Sequence, residues 1–177
     1  TTTATDGTWS VNTGSATPAS GSLSLNANGN NSVSVTATDA AGNVSSAGTQ
    51  TLVIDSTAPT VAITDNNSGT ANSDVTYTIT FSEAVDGFTV DDVTVANGTK
   101  GTFTQETSTV YTLVVTPNTN STTAITVDIA ANVSTDVAGT NNTAASQSSQ
   151  AVDTAAPSTP TIASITTPDH DNTPTIT

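Results

Sequence analysis

The residues in this chain with chemistry to offer are carboxylates. Fifteen Asp and Glu stand against a single Lys or Arg, one His and no Cys. Two of the aspartates sit in matching punctuation. One is Asp55-Ser56-Thr57-Ala58-Pro59-Thr60; the other, one small β-domain further on, is Asp153-Thr154-Ala155-Ala156-Pro157. Each stretch follows an alternating run and precedes a new one, Val61-Ala62-Ile63 and Thr161-Ile162. They read as domain junctions, and an Asp at each is well placed to bridge two domains through a metal. More acids fall in loops: Glu83, Asp86, Asp91 and Asp92 within 83–92, Asp136 with Asn141 within 131–143, and Asp65 and Asp74 around 65–74.

Strands must position these groups. The 177 residues are 33% hydrophobic and 9% charged, with a formal net charge of −14. Thr, Ser, Asn, Ala and Val dominate, and β-branched residues fit a pleated, half-buried surface better than a helix. One Trp, two Tyr and three Phe imply slim cores of Val, Ile and Leu. The regular alternation argues against a disordered Thr/Ser-rich linker.

Residues 1–54 read as the back part of a domain. Trp9 follows a turn, Leu23 and Leu25 alternate, then Val33, Val35 and Ala37, then Leu52 and Ile54. Between the last two strands, Asp39-Ala40-Ala41-Gly42-Asn43 is a turn with Gly42 or Asn43 at positive φ. Residues 55–152 read as complete. Seven strands are predicted near 60–64, 74–82, 93–96, 99–104, 109–116, 123–130 and 144–152, with Asn97-Gly98 as a hairpin turn. Seven short strands in about 100 residues indicate an immunoglobulin-like sandwich. Residues 153–177 begin another. The expected fold is therefore all-β: tandem immunoglobulin-like sandwiches, one complete and two partial.

Strand parity places the loops. Seven antiparallel strands enter at one pole and leave at the other. The first pole then gathers Asp55, Glu83, Asp86, Asp91, Asp92, Asp136 and Asn141; the far pole gathers Asp65, Asp74 and Asp153. Two like charges about 6 Å apart repel by roughly 0.7 kcal/mol even in water. Such a cluster suits a cation, and calcium, with its 6–8 hard oxygen ligands, fits the residue types. Zinc and copper do not, because Cys is absent and the one His, His170, is a loop residue. The plainer alternative is a solvated acidic surface. Asp6, in a turn, and Asp128, in mid-strand, are assigned to no site.

Asp39-Ala-Ala-Gly-Asn43 followed by Asp55-Ser-Thr-Ala-Pro59 resembles the tandem bacterial Ig-like repeats of giant surface adhesins, the RTX-type proteins exported by type I systems. Phe81-Ser82-Glu83 with Gly87-Phe88-Thr89-Val90-Asp91-Asp92-Val93 looks like a second repeat type from the same proteins. The resemblance implies secreted stalk modules stiffened by calcium at their junctions. It makes Asp55 and Asp153 junction ligands and Asp39 and Asn43 loop ligands. The second loop, Asp136-Val137-Ala138-Gly139-Thr140-Asn141, reads as one residue longer, leaving Asn141 or Asn142 to stand for Asn43. The Gly/Asp nonapeptide of the secretion signal is absent, so the segment reads as an interior piece.

The leading function is structural, an extender that holds a distant adhesive tip away from the cell. The alternative is a module that binds a glycan or host protein, although no loop carries an aromatic cluster to stack on sugars. An enzyme is disfavoured, because nucleophilic catalysis needs a base beside the Ser or Thr. Lys100 as the one base argues against nucleic acid as a partner. No apolar run reaches the ~20 residues that span a bilayer. The expected partners are neighbouring repeats or head-to-tail copies. Residues 155–177 would open a repeat that residues 1–54 close, which leaves an apolar seam for the equivalent of 160–177 to fill. Asp153 of one unit would then meet Asp39 and Asn43 of the next, with Asp65 and Asp74 close by.

Overall fold

The computed structural model describes residues 8–10, 20–22, 25–26, 28–36, 38 and 40–162. In chain order its strands are β1 (Thr8–Ser10), β2 (Ser20–Ser22), β3 (Gly29–Val35), β4 (Gly48–Ile54), β5 (Val61–Asp65), β6 (Val75–Phe81), β7 (Val93–Ala96), β8 (Gly98–Gln105), β9 (Val110–Pro117), β10 (Ile125–Ile129) and β11 (Ser148–Gln150). A 3₁₀ turn, Val90–Asp92, leads into β7. The strands expected within 163–177, together with Asp6, Asp39 and His170, lie outside the described residues.

Alternation drives the fold of residues 55–152. In β6, Val75, Tyr77, Ile79 and Phe81 are all buried, while Thr76 and Thr78 are half-buried and Thr80 is exposed. Every second residue points to one face of a strand, so a single side becomes apolar and must be covered. Two sheets cover each other: β5-β6-β9-β8 and β7-β10-β11, all pairs antiparallel. Ile125, Val127 and Ile129 of β10 meet Tyr77, Ile79, Leu113 and Val115 from the facing sheet in one core. This four-plus-three arrangement is the immunoglobulin sandwich. In the N-terminal part, β1 pairs with β2 and β3 with β4. There Val33, Val35, Leu52 and Ile54 share one face and are half-buried.

Two details depart from the sequence reading. Asn97-Gly98 does not close a hairpin. β7 pairs with β10 and β8 with β9, so the dipeptide is a corner where the chain changes sheets. Asn97 takes φ 61°, its amide donates to the Ala124 carbonyl at 2.9 Å, and Gly98 is crowded. A Cβ on Gly98 would sit 2.7 Å from Val115 Cγ1 and 3.0 Å from the Thr116 carbonyl. The hairpin signal was real chemistry for a tight bend, but burial of both flanking strands in different sheets decided the pairing. The last strand is also shorter than 144–152. Beyond Gln150 the chain pairs instead with the loop after β5: Ala71 N–H reaches the Ala151 carbonyl and Asp153 N–H reaches the Ala71 carbonyl. That loop therefore pairs with the segment just beyond β11 rather than with the strand itself.

Lys100 guards another edge. It hangs from β8 at the start of the register shift between Lys100 and Phe103, and its Nζ donates to the Val90 and Val93 carbonyls at 2.7 Å each. The chain's one Lys thus ties the two sheets together and caps carbonyls at the start of edge strand β7, a usual protection against edge-to-edge pairing.

Leu113 has no exposed surface. Leu113→Ala should lower stability by about 2–5 kcal/mol in denaturant melts, through lost transfer energy and the cavity left behind. Tyr77 gives the opposite sign. Its hydroxyl is buried without a partner, and desolvation, then Asp65, pushes its pKa up to about 12. Removing an unsatisfied buried hydroxyl relieves a desolvation penalty. Tyr77→Phe should therefore melt at the same temperature as the parent or higher.

Candidate metal centre

Three chain segments converge at the first pole. The first is the linker after β4. Asp55 turns on itself there, its Oδ1 accepting the Thr57 N–H at 3.0 Å, the short-range bond that makes Asp a turn residue. The second is the end of β6, which is fastened to the same linker. Ser82 N–H donates to the Thr60 carbonyl at 2.9 Å, and Thr60 N–H donates to Ser82 Oγ at 3.0 Å. Glu83 follows immediately. The third is the loop between β10 and β11. Thr143 N–H donates to the Pro59 carbonyl at 2.9 Å and so brings this loop to the linker as well.

Within that loop a small ladder sets the side-chain directions. Thr135 bridges to Asp86 on one side and to Asn141 on the other. Asp136 N–H donates to the Thr140 carbonyl at 3.0 Å, and Asn142 N–H to the Ser134 carbonyl at 3.0 Å. Gly139, at φ 89°, makes the turn between them. Paired residues share a face and neighbours alternate. Asp86, Thr135 and Asn141 therefore lie on one face and Ser134, Asp136, Thr140 and Asn142 on the other. The second face is turned inward: Ser134, Asp136 and Asn142 are all buried.

The outcome is a trio. Asp55, Glu83 and Asp136 each offer an oxygen, and these oxygens lie within 4.8 Å of one another. Asp55 is exposed, Glu83 half-buried and Asp136 only 5% exposed. Asp136 Oδ1 accepts the Thr140 N–H at 2.8 Å, but its Oδ2 is buried with no hydrogen-bond partner. Buried carboxylate oxygens are ordinarily satisfied by donors or by a metal. Partial desolvation, and then the charges of Asp55 and Asp136, hold Glu83 above its ordinary pKa. The donor set is all hard oxygen, as calcium prefers, with no nitrogen or sulfur among these three side chains for zinc or copper.

The other expected ligands are placed elsewhere. Asp86 and Asn141 are exposed on the outward face of the ladder, and Asp86 Oδ1 accepts the Gly87 N–H. Asp91 is exposed in the 3₁₀ turn. Asp92 caps that turn, its Oδ2 accepting the Thr89 N–H at 2.8 Å and the Thr89 hydroxyl at 2.9 Å. Asp65 accepts the Asn67 N–H at the far pole, and Asp74 is exposed there. Asp153 is joined to that pole by its bond to Ala71. Asn43 follows Gly42, which has φ 90°, matching Gly139. The bridges Thr38–Val44 and Thr135–Asn141 span the same number of residues, so the two loops are equal in length and Thr140 holds the place of Asn43.

Asn142 has a structural role that its sequence did not announce. Its Oδ1 accepts the Val133 and Ser134 N–H groups, and its Nδ2 donates to the Ala130 and Thr143 carbonyls. A buried Asn that satisfies four backbone groups shapes the loop presenting Asp136. An Asn-Asn pair in sequence does not reveal which member turns inward.

The raised pKa of Glu83 gives a signed expectation for the metal-free protein. A carboxyl held above its unfolded value binds its proton more tightly when folded. Its contribution is present below the unfolded pKa and is lost as pH rises through the folded one. In chelator, then, Glu83→Gln should gain melting temperature over the parent at neutral pH, and the gap should close on acidification below about pH 4. A pH-independent gap would contradict the shift.

No curated protein and no solved structure matches the chain. A family model described as the bacterial Ig-like domain matches residues 55–152. Those limits coincide with the sandwich and include Asp55, Glu83 and Asp136. The match takes in more than half of the sequence, and the chain belongs to the bacterial Ig-like domain family.

Proposed function

We propose that this chain is a stretch of extender modules from a bacterial cell-surface adhesin, and that calcium held by Asp55, Glu83 and Asp136 stiffens the junction ahead of residues 61–152. The observation that carries this reading is the unpartnered, buried Oδ2 of Asp136 beside the carboxylate of Asp55. Asp55 follows directly on β4, the last strand of the preceding unit, whereas Glu83 and Asp136 sit on loops of the following sandwich. A cation shared by the three links one module to the next. It also offsets the mutual repulsion of carboxylates that no Lys or Arg approaches, since Lys100 is committed to Val90 and Val93. When bound, the cation supplies charge neutralisation and a fixed junction; no bond is made or broken. A family of bacterial Ig-like modules fits a surface setting, and the acidic, Cys-free composition suits a protein stapled by metal rather than disulfides.

Calorimetry with calcium and with a chelator tests the reading. A ligand present at 100 times its dissociation constant and binding only the native state adds about 2.7 kcal/mol. For a sandwich of this size that corresponds to a rise of about 10–20 °C in melting temperature. Asp136→Asn keeps an acceptor for Thr140 N–H but removes the charge. It should match or exceed the parent in chelator and lose the calcium response. Asp128→Ala, on β10 and bonded to Gln147, should retain that response in full. An unchanged melt on adding calcium, or an intact response in Asp136→Asn, removes the metal from the proposal.

A further inference from the structure

Two junctions in this chain share a hydrogen-bond pattern around the residue that follows the junction Asp. At the first, the residue after the junction Asp is Ser56. Its N–H donates to Asn28 Oδ1 at 2.7 Å, and its hydroxyl donates to the same oxygen at 3.2 Å. Asn28 immediately precedes β3, the strand that pairs with β4. At the second junction the residue after the Asp is Thr154. Its N–H donates to the Ser121 carbonyl at 2.9 Å, and its Oγ accepts the Ser121 N–H at 2.9 Å and donates to the Asn118 carbonyl at 2.7 Å. Asn118 and Ser121 lie in the loop that feeds β10, the strand that pairs with β11. In both cases the junction Asp folds back on the N–H two residues on, Asp55 to Thr57 and Asp153 to Ala155, at 3.0 Å.

We infer that the loop feeding the next-to-last strand of each repeat is a docking surface for the linker that leaves the repeat. Its partner is the Ser or Thr that follows the junction Asp. The physical basis is continuation of the final strand pair beyond its ladder. The register Gly29–Ile54 puts Asn28 opposite Asp55, next to Ser56. At the second junction the side chain of Thr154 replaces the missing ladder bonds. A hydroxyl residue suits the position because it can donate and accept within one short reach. The following sandwich takes hold almost at once: Pro59 is buried and its carbonyl accepts from Thr143. Between the grip on Ser56 and the grip on Pro59 lie Thr57, held by Asp55, and Ala58. The direction of the linker is thereby set by the preceding repeat without any cation, and the carboxylate of Asp55 is aimed forward before a metal arrives. Such preorganisation reduces the ordering that binding must otherwise impose.

Amide hydrogen exchange by NMR, with the intact chain in chelator, tests this. Asn28→Ala should speed exchange at Ser56 by about tenfold, and Thr154→Val should do the same at Ser121; a tenfold change corresponds to about 1.4 kcal/mol. The amides of β6, β9 and β10 should keep their parent rates, which separates loss of the clamp from loss of the fold. The chain has no Cys, so spin labels at Ser32→Cys and Thr94→Cys report the distance across the first junction. Asn28→Ala should broaden that distance distribution in chelator. Open-chain exchange of Ser56 and Ser121 in the parent, or variants indistinguishable from it in both measurements, would overturn the inference. All readings are made without calcium, so a failure here leaves the metal reading standing, and a protein that ignores calcium can still show the clamp.

Discussion

Side chains on a strand alternate, and in β6, β9 and β10 one side of that alternation is apolar without interruption. Covering those sides is the constraint that the rest of the molecule obeys. Ile79 cannot leave water unless Ile125, Val127 and Ile129 come across from the other sheet, and that meeting fixes which strands lie in which layer. The layers then dictate the poles. Once β5, β6 and β9 run antiparallel in one sheet and β7, β10 and β11 in the other, the connections fall at two ends. The aromatic residues reinforce the first of these ends. Phe88, from the loop between β6 and β7, packs edge-on against Phe81 and Tyr111 with ring centroids 5.0 Å away in each case, and so pins an acidic loop to the core.

Charge is handled by position rather than by pairing. A chain with a formal charge of −14 has almost nothing with which to form salt bridges, and its one Lys is spent on backbone carbonyls. Several of the described carboxylates are instead absorbed locally. Asp65, Asp86, Asp92 and Asp153 each accept a nearby N–H and stabilise a turn or a cap. Such bonds keep an acid useful without a cation. Asp136 differs because it is buried and only half satisfied, and because Asp55 and Glu83 face it. Its Oδ2 has no hydrogen-bond partner among the described residues, and that oxygen is the observation on which the proposed hard cation rests.

The junction unites these two themes. Strand β4 ends at Ile54, and beyond it the linker is held at Ser56 by the preceding unit, at Thr57 by its own turn and at Pro59 by the following sandwich. A linker of this kind transmits orientation through hydrogen bonds to fixed loops, and the proposed cation would add a second, electrostatic tie at the same place. Stiffness in a tandem array depends on such short, committed connections, because inter-domain motion is the default where few contacts cross.

The amino-acid pattern alone marked most strands of residues 55–152 and the class of fold. Val75-x-Tyr77-x-Ile79-x-Phe81 and Ile125-x-Val127-x-Ile129 are periodic enough that local pattern suffices, since burying one face follows from alternation alone. It also placed Asp55, Glu83 and Asp136 at one pole, because loop position follows from counting strands. It could not say which acids in a loop turn inward. Asp86 and Asp136 look alike in sequence, yet a single ladder through Thr135 sends them to opposite faces. Nor could it show that Asn97-Gly98 is a corner between sheets, that Asn142 and not Asn141 builds the loop, or that Asp92 caps a 3₁₀ turn. Those outcomes depend on pairing between segments far apart in the chain, and only tertiary structure decides them, because a hydrogen bond between distant residues leaves no period for local sequence to carry.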